Sequence, residues 1–127
     1  MVKKFVPNDN FNNLYGVDRP LELGFIKKSE EGTKHQSNTV YDGKSISCTL
    51  CAGDYKSPKM FLIVEDNAFK IRRLTSLEYW RLQGFDDTDF NKAKEVSPET
   101  NLYKQSGNSI SVNVLEDIFR NLYLGEN

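Results

Sequence analysis

The sequence predicts an α+β chain in which a small β-rich segment is followed by a three-helix C-terminal tail. Two observations carry this expectation. Residues 21–69 contain short apolar and β-branched runs separated by polar, turn-forming stretches, which is how strands are punctuated. From Leu74 onward the apolar residues recur at helical spacing, between capping sequences and glycine stops. At 127 residues the chain is one domain or one piece of a larger one, long enough to bury a modest core.

Residues 1–20 are expected to be irregular, because Pro7, Asn8, Asp9, Asn10, Asn12, Asn13 and Pro20 break any period. Within residues 21–70, LELGFI, SISCTL and MFLIVE read as strands, joined by polar loops such as AGDYKSPK. The segment 71–127 reads as helical. Thr75-Ser76-Leu77-Glu78 is a capping box that starts the first helix, and Gly84 ends it. Ser97-Pro98-Glu99 starts a short second helix, stopped by Gly107. Val114, Leu115, Ile118, Phe119 and Leu122 give the third helix one nearly continuous apolar face, with Ser109 or Ser111 placed to cap it.

Composition narrows the function classes. With 38% hydrophobic and 28% charged residues, the chain reads as soluble and globular. No apolar run has the length of a membrane span, and MVKKFVPNDN lacks the hydrophobic stretch of a signal peptide. A cytoplasmic location and no membrane partner are therefore expected. The net charge is −1, divided as 12 basic and 9 acidic residues in 1–73 against 5 basic and 9 acidic in 74–127. A stand-alone nucleic-acid binder carries a clearer basic excess, so any DNA binding by the isolated chain should be weak.

Cys48 and Cys51 form a CTLC, which on spacing alone is half of a zinc site or a redox pair. The other half is missing, since His35 is the single histidine and there is no second cysteine pair. Strand alternation would also turn the two thiols to opposite faces. No metal is expected. Gly107-Asn108-Ser109, directly before the last helix, admits two readings: an ordinary cap, or a polar ligand site at a helix end.

The pattern as a whole resembles the C-terminal part of the DNA (cytosine-5)-methyltransferases. IRRLTSLEYWRLQGF, residues 71–85, is similar to the family's ninth conserved motif, and LYKQSGNSISVNVLEDIFRNL, residues 102–122, to its tenth. RPLELGFI and NTVYDGKSISCTL resemble the target recognition domain, with its Thr-Leu pair at Thr49-Leu50. The resemblance implies a fragment of the S-adenosylmethionine-dependent methyltransferase architecture. It implies cofactor contacts at Phe85, Asn108, Ser109 and Ile110, and a DNA-backbone contact at Thr49. It puts Arg72 and Arg73 at the basic start of the ninth motif, and leaves Glu78, Trp80 and Leu82 to packing. Base reading would fall to residues such as Thr39, Lys56 and Lys59, because Thr39 stands where one member type places a base-reading arginine.

What the family pattern contains and this sequence lacks is equally informative. There is no Pro-Cys nucleophile, no Glu-Asn-Val acid motif and no glycine-containing cofactor loop; Cys48 follows Ser47 and Cys51 follows Leu50. No catalytic residue is therefore assigned. The expectation is a recognition part that completes a cofactor pocket, inactive alone, with S-adenosylmethionine shared with a catalytic methyltransferase subunit and double-stranded DNA as the substrate. The alternatives are a non-catalytic regulator that binds DNA or a methyltransferase, and an inactive remnant.

Overall fold

The computed structural model describes residues 3–12, 19–27 and 29–125. By internal contacts the chain divides into two units, Met1–Thr49 with Lys56–Leu74, and Leu50–Tyr55 with Thr75–Asn127.

The first unit is built on a five-stranded sheet: β1 (Lys4–Pro7), β2 (Glu22–Lys27), β3 (Thr39–Asp42), β4 (Met60–Glu65) and β5 (Ala68–Arg73). The strands lie in chain order, and all neighbours are antiparallel except β3 and β4. Alternation along the strands sends Leu23, Val40, Met60 and Leu62 to one face, where Leu21 joins them and Phe5, Phe11, Ile26 and Ile71 pack around the rim. Tyr41 and Phe61, register partners across β3 and β4, pair at 5.8 Å between ring centroids.

Three expectations need correction here. Lys4–Pro7 is a strand, not irregular chain, because its partner β2 supplies a complete antiparallel register; residues 13–18 of the expected irregular segment lie outside the described residues. SISCTL is not a strand. After β3 the chain turns on Asp42, whose carboxylate accepts from the Lys44 N–H and the Ser45 hydroxyl, and residues 46–50 run without a ladder. β5 went unread, yet Asp66 and Asn67 both adopt positive φ (51° and 59°), the two-residue hairpin turn that these side chains tolerate.

The second unit holds four helices instead of three: α1 (Ser76–Leu82), α2 (Asp87–Val96), α3 (Glu99–Asn108) and α4 (Val112–Phe119), the last continued by a π-helical turn at Arg120–Leu124. The extra helix, α2, is capped by Asp86, which accepts from the Asp89 N–H at 2.9 Å. The capping box of α1 forms as expected, with Glu78 N–H on the Thr75 hydroxyl and Thr75 N–H on the Glu78 carboxylate. Trp80, Phe90 and Leu102 are the core of this unit, and Leu77, Phe85 and Ala93 pack against them. Helix α3 does not stop at Gly107 but runs through to Asn108.

Gly84 ends α1 in the left-handed region, at φ +88°. Gly84→Ala should therefore destabilise the chain by about 1 kcal/mol, seen as a lower melting temperature. Gly84→Asn should cost less, because asparagine visits that region more readily. Arg81 grips Asp87 through two hydrogen bonds, of 2.8 and 2.7 Å. The Arg81 hydrogen bond is the main cause that holds the Asp87 carboxyl below its ordinary pKa. The pair thus favours the folded state above the usual carboxylate range and is lost as pH falls through the lowered value. In an NMR titration, Arg81→Ala should raise the Asp87 pKa.

Candidate functional site

Gln83 ties together the chain positions that bracket the cofactor-side residues singled out by sequence. Its side-chain amide donates to the Ser106 carbonyl at 2.9 Å, and its own carbonyl accepts from the Val112 N–H at 2.8 Å. The α1 end, the α3 end and the α4 start are thereby tied to one residue. A Cβ on Gly84 would stand 2.9 Å from the Asn113 side-chain oxygen, so this corner is also close-packed. Sequence reasoning gave Gln83 no role; its position in Leu-Gln-Gly-Phe, just before a helix-ending glycine, was the available signal.

Phe85, two residues on, is half-buried, with its ring 5.0 Å from that of Trp80. Asn108 is the last residue of α3, exposed, and its side chain has no hydrogen-bond partner among the described residues. Ser109 is half-buried, and its hydroxyl donates to the Ile110 carbonyl at 2.9 Å. Ile110 is 61% exposed. Asn108 and Ser109 thus stand at the carbonyl end of α3, not in the first turn of α4. Ser111 takes the N-cap position of α4 without a side-chain capping bond. Ser106 and Val112, the two residues Gln83 holds, bracket Asn108, Ser109 and Ile110 in the chain, and Phe85 follows Gln83 by two residues.

The candidate DNA-side residues separate by burial. Thr49 and Lys56 are exposed, on either side of the segment Leu50–Tyr55. Arg72 and Arg73 are exposed at the end of β5, Arg73 donating to the Ser57 hydroxyl and the Pro58 carbonyl. With Lys3 they line a cavity of about 230 Å³ floored by Ile26, Met60 and Ile71. Thr39 and Lys59 are different. Thr39 is 2% exposed within β3, its hydroxyl committed to the His35 carbonyl at 2.8 Å, and Lys59 is 3% exposed. Neither side chain is offered to a groove, a burial that apolar alternation alone did not reveal.

Cys48 and Cys51 are half-buried and not joined in a disulfide, and no group of three potential metal-ligating side chains occurs among the described residues. No helix among the described residues is long and apolar enough to cross a membrane.

A five-stranded sheet followed by helices is consistent with an α+β methyltransferase fragment. Residues 4–124 match the family model described as C-5 cytosine-specific DNA methylase. The chain belongs to this family, whose members use S-adenosylmethionine. Among similar proteins, the orphan methyltransferase M.Rho11sI of Bacillus phage rho11s is 58% identical over 55 residues, covering 42% of this chain and 11% of that protein. The putative type II methyltransferase M.BsuMIIP of Bacillus subtilis strain 168 shows the same identity, over 42% of this chain and 12% of its own length. The type II methyltransferase M2.ScrFI of Lactococcus lactis subsp. cremoris is 52% identical over 58 residues, 46% of this chain and 16% of that protein. The matched stretch is thus a small fraction of each relative's length.

Proposed function

We propose that this chain is the recognition and cofactor-pocket-completing part of a DNA (cytosine-5)-methyltransferase, inactive alone, whose Pro-Cys nucleophile is carried by a separate catalytic chain. The observation that carries this reading is the bare apolar face of α4. None of its residues is buried; Leu115 is half-buried, and Val114, Ile118 and Phe119 are 52%, 46% and 53% exposed. Leu122, Tyr123 and Leu124 extend the exposed face through the following turn. A contiguous apolar surface of this kind is a partner surface. It follows Ser109 and Ile110 in the chain by a few residues, and the start of α4 is held to Gln83 through the Val112 N–H.

The chemistry of the corner suits S-adenosylmethionine. Phe85 and Ile110 offer apolar surface to the adenine. The Asn108 amide and the Ser109 oxygen offer hydrogen bonds to ribose and amino-acid groups, and the carbonyl end of α3 favours positive charge. When bound, the cofactor supplies the methyl group. Methylation at cytosine C5 also needs a thiolate to attack C6 of a flipped base. Neither Cys48 nor Cys51 follows a proline, and the nucleophile is assigned to the partner. On this reading the complex works in the cytoplasm on double-stranded DNA.

Thr49, Lys56, Arg72 and Arg73 are the DNA-backbone contacts of the proposal; Thr39 and Lys59 are set aside because they are buried. Three cations neutralising three phosphates give a log–log salt slope of about −3 for the isolated chain, with weak binding. Titration with labelled duplex at several salt concentrations measures it. The deciding experiment is reconstitution. Mixed with a chain bearing the Pro-Cys motif, this protein should support transfer of labelled methyl to DNA, which neither chain achieves alone. Transfer by this chain alone, abolished by Cys48→Ser or Cys51→Ser, would overturn the proposal. A partner that binds but stays silent would make the chain a regulator.

A further inference from the structure

The segment Leu50–Tyr55 comes from the middle of the recognition sequence, yet it belongs to the helical unit. Three contacts hold it there. Asp54, 8% exposed, accepts through one carboxylate oxygen from the Cys51 N–H at 3.0 Å and from the Tyr79 hydroxyl at 2.9 Å. Tyr79, on α1, is fully buried and stands edge-on to Tyr103 of α3, with centroids 5.0 Å apart. The Lys104 ammonium lies 4.7 Å from the centre of the Tyr55 ring.

The third contact explains why residue 107 is glycine. A Cβ there would sit 2.3 Å from the Cys51 carbonyl carbon and 2.4 Å from the Ala52 nitrogen. Backbone cannot yield as a side-chain tip does, so only glycine lets the loop lie against the last turn of α3. The next residue is Asn108, and the preceding one, Ser106, is the buried carbonyl that Gln83 holds. In the chain the same loop is flanked by Thr49 and Lys56. The loop is therefore continuous in the chain with a candidate DNA contact on each side, and it packs against the last turn of α3, which ends at Asn108. A close-packed attachment of this sort passes displacement on instead of absorbing it.

We propose that Asp54, Tyr79 and Gly107 are positioning residues that join the DNA-side loop to the cofactor corner, so that DNA engagement at Thr49 and Lys56 alters affinity for the methyl donor. The proposal rests on the function proposed above and adds a route by which its two ligands sense each other. Coupling of this kind is reciprocal, so the donor alters DNA affinity by the same factor.

The test measures S-adenosylhomocysteine binding by calorimetry to the complex of this chain with its catalytic chain, with and without sheared unmethylated genomic DNA. The ratio of the two dissociation constants is the readout. The native complex should give a ratio several-fold away from one. Tyr79→Phe, which keeps the ring and removes the hydroxyl, and Asp54→Ala should bring the ratio to within twofold of one. Asp54→Asn, which keeps an acceptor oxygen, should restore most of it. Gly107→Ala should act like Asp54→Ala; if it prevents folding, Tyr79→Phe alone decides. An unchanged ratio in Tyr79→Phe and Asp54→Ala would overturn the proposal, as would a native ratio of one. A native complex that does not bind S-adenosylhomocysteine at all would instead overturn the functional reading beneath it.

Discussion

Replacing Ile118 and Phe119 together by alanine should weaken association with the catalytic chain by about a thousandfold and leave this chain's own melting temperature nearly unchanged. In the isolated chain both side chains are about half exposed, and the Phe119 ring lies beside the largely exposed Tyr123, with centroids 5.9 Å apart. Truncating them opens no cavity in either core. In the complex each would lie in a desolvated contact, where loss of an anchor costs about 2 kcal/mol or more. Two such losses amount to roughly three orders of magnitude in affinity. Asn108→Ala should behave in the opposite way: it leaves association intact and weakens use of the methyl donor. The measurements are calorimetric association with the catalytic chain, methyl transfer and thermal unfolding for each variant. A double variant that melts many degrees lower yet associates normally would make α4 internal core, and the docking proposal would fall.

How far the sequence carried these conclusions differs from element to element. The start of α1 was legible because its signal is local: Thr75 and Glu78 satisfy each other's backbone within one turn. The open face of α4 was legible for a similar reason, since five apolar residues on one stripe need a surface to cover them. Helix α2 was not, because it buries a single core residue, Phe90, and its evidence lay in the Asp86 cap instead of in apolar periodicity. SISCTL alternates as a strand should, but alternation cannot tell a paired strand from extended chain; that depends on which edge of β3 and β4 is already taken.

The candidate site divides along the same line. Phe85, Asn108 and Ser109 were singled out by resemblance to the family's conserved motifs, which is a property of the chain. That Thr39 and Lys59 are buried, and that Gly107 makes room for Cys51 and Ala52, are properties of contacts between distant residues. Gly107 was read as a helix stop because glycine usually ends helices. Here it lies inside α3, and its lost Cβ serves packing instead.

Trp80→Ala should give the largest loss of stability in the helical unit, about 4 kcal/mol. Trp80 is 9% exposed, with its ring 5.0 Å from Phe85 and 5.7 Å from Phe90, and its Nε1–H donates to the Leu102 carbonyl at 2.9 Å. It is the piece that binds α1, α2 and α3 together. Trp80→Phe keeps a ring and gives up the donor, so it should cost about half as much. Trp80 is the chain's single tryptophan, so unfolding must be followed by far-ultraviolet circular dichroism in urea instead of by fluorescence. A Trp80→Ala midpoint within error of the native one would mean that this cluster does not hold the unit together. If the loss is as large as expected, the consequence reaches the site. Phe85 packs directly on the removed ring, so its aromatic face would lose its fixed orientation. Donor binding by the complex should then fall even at temperatures where Trp80→Ala remains folded.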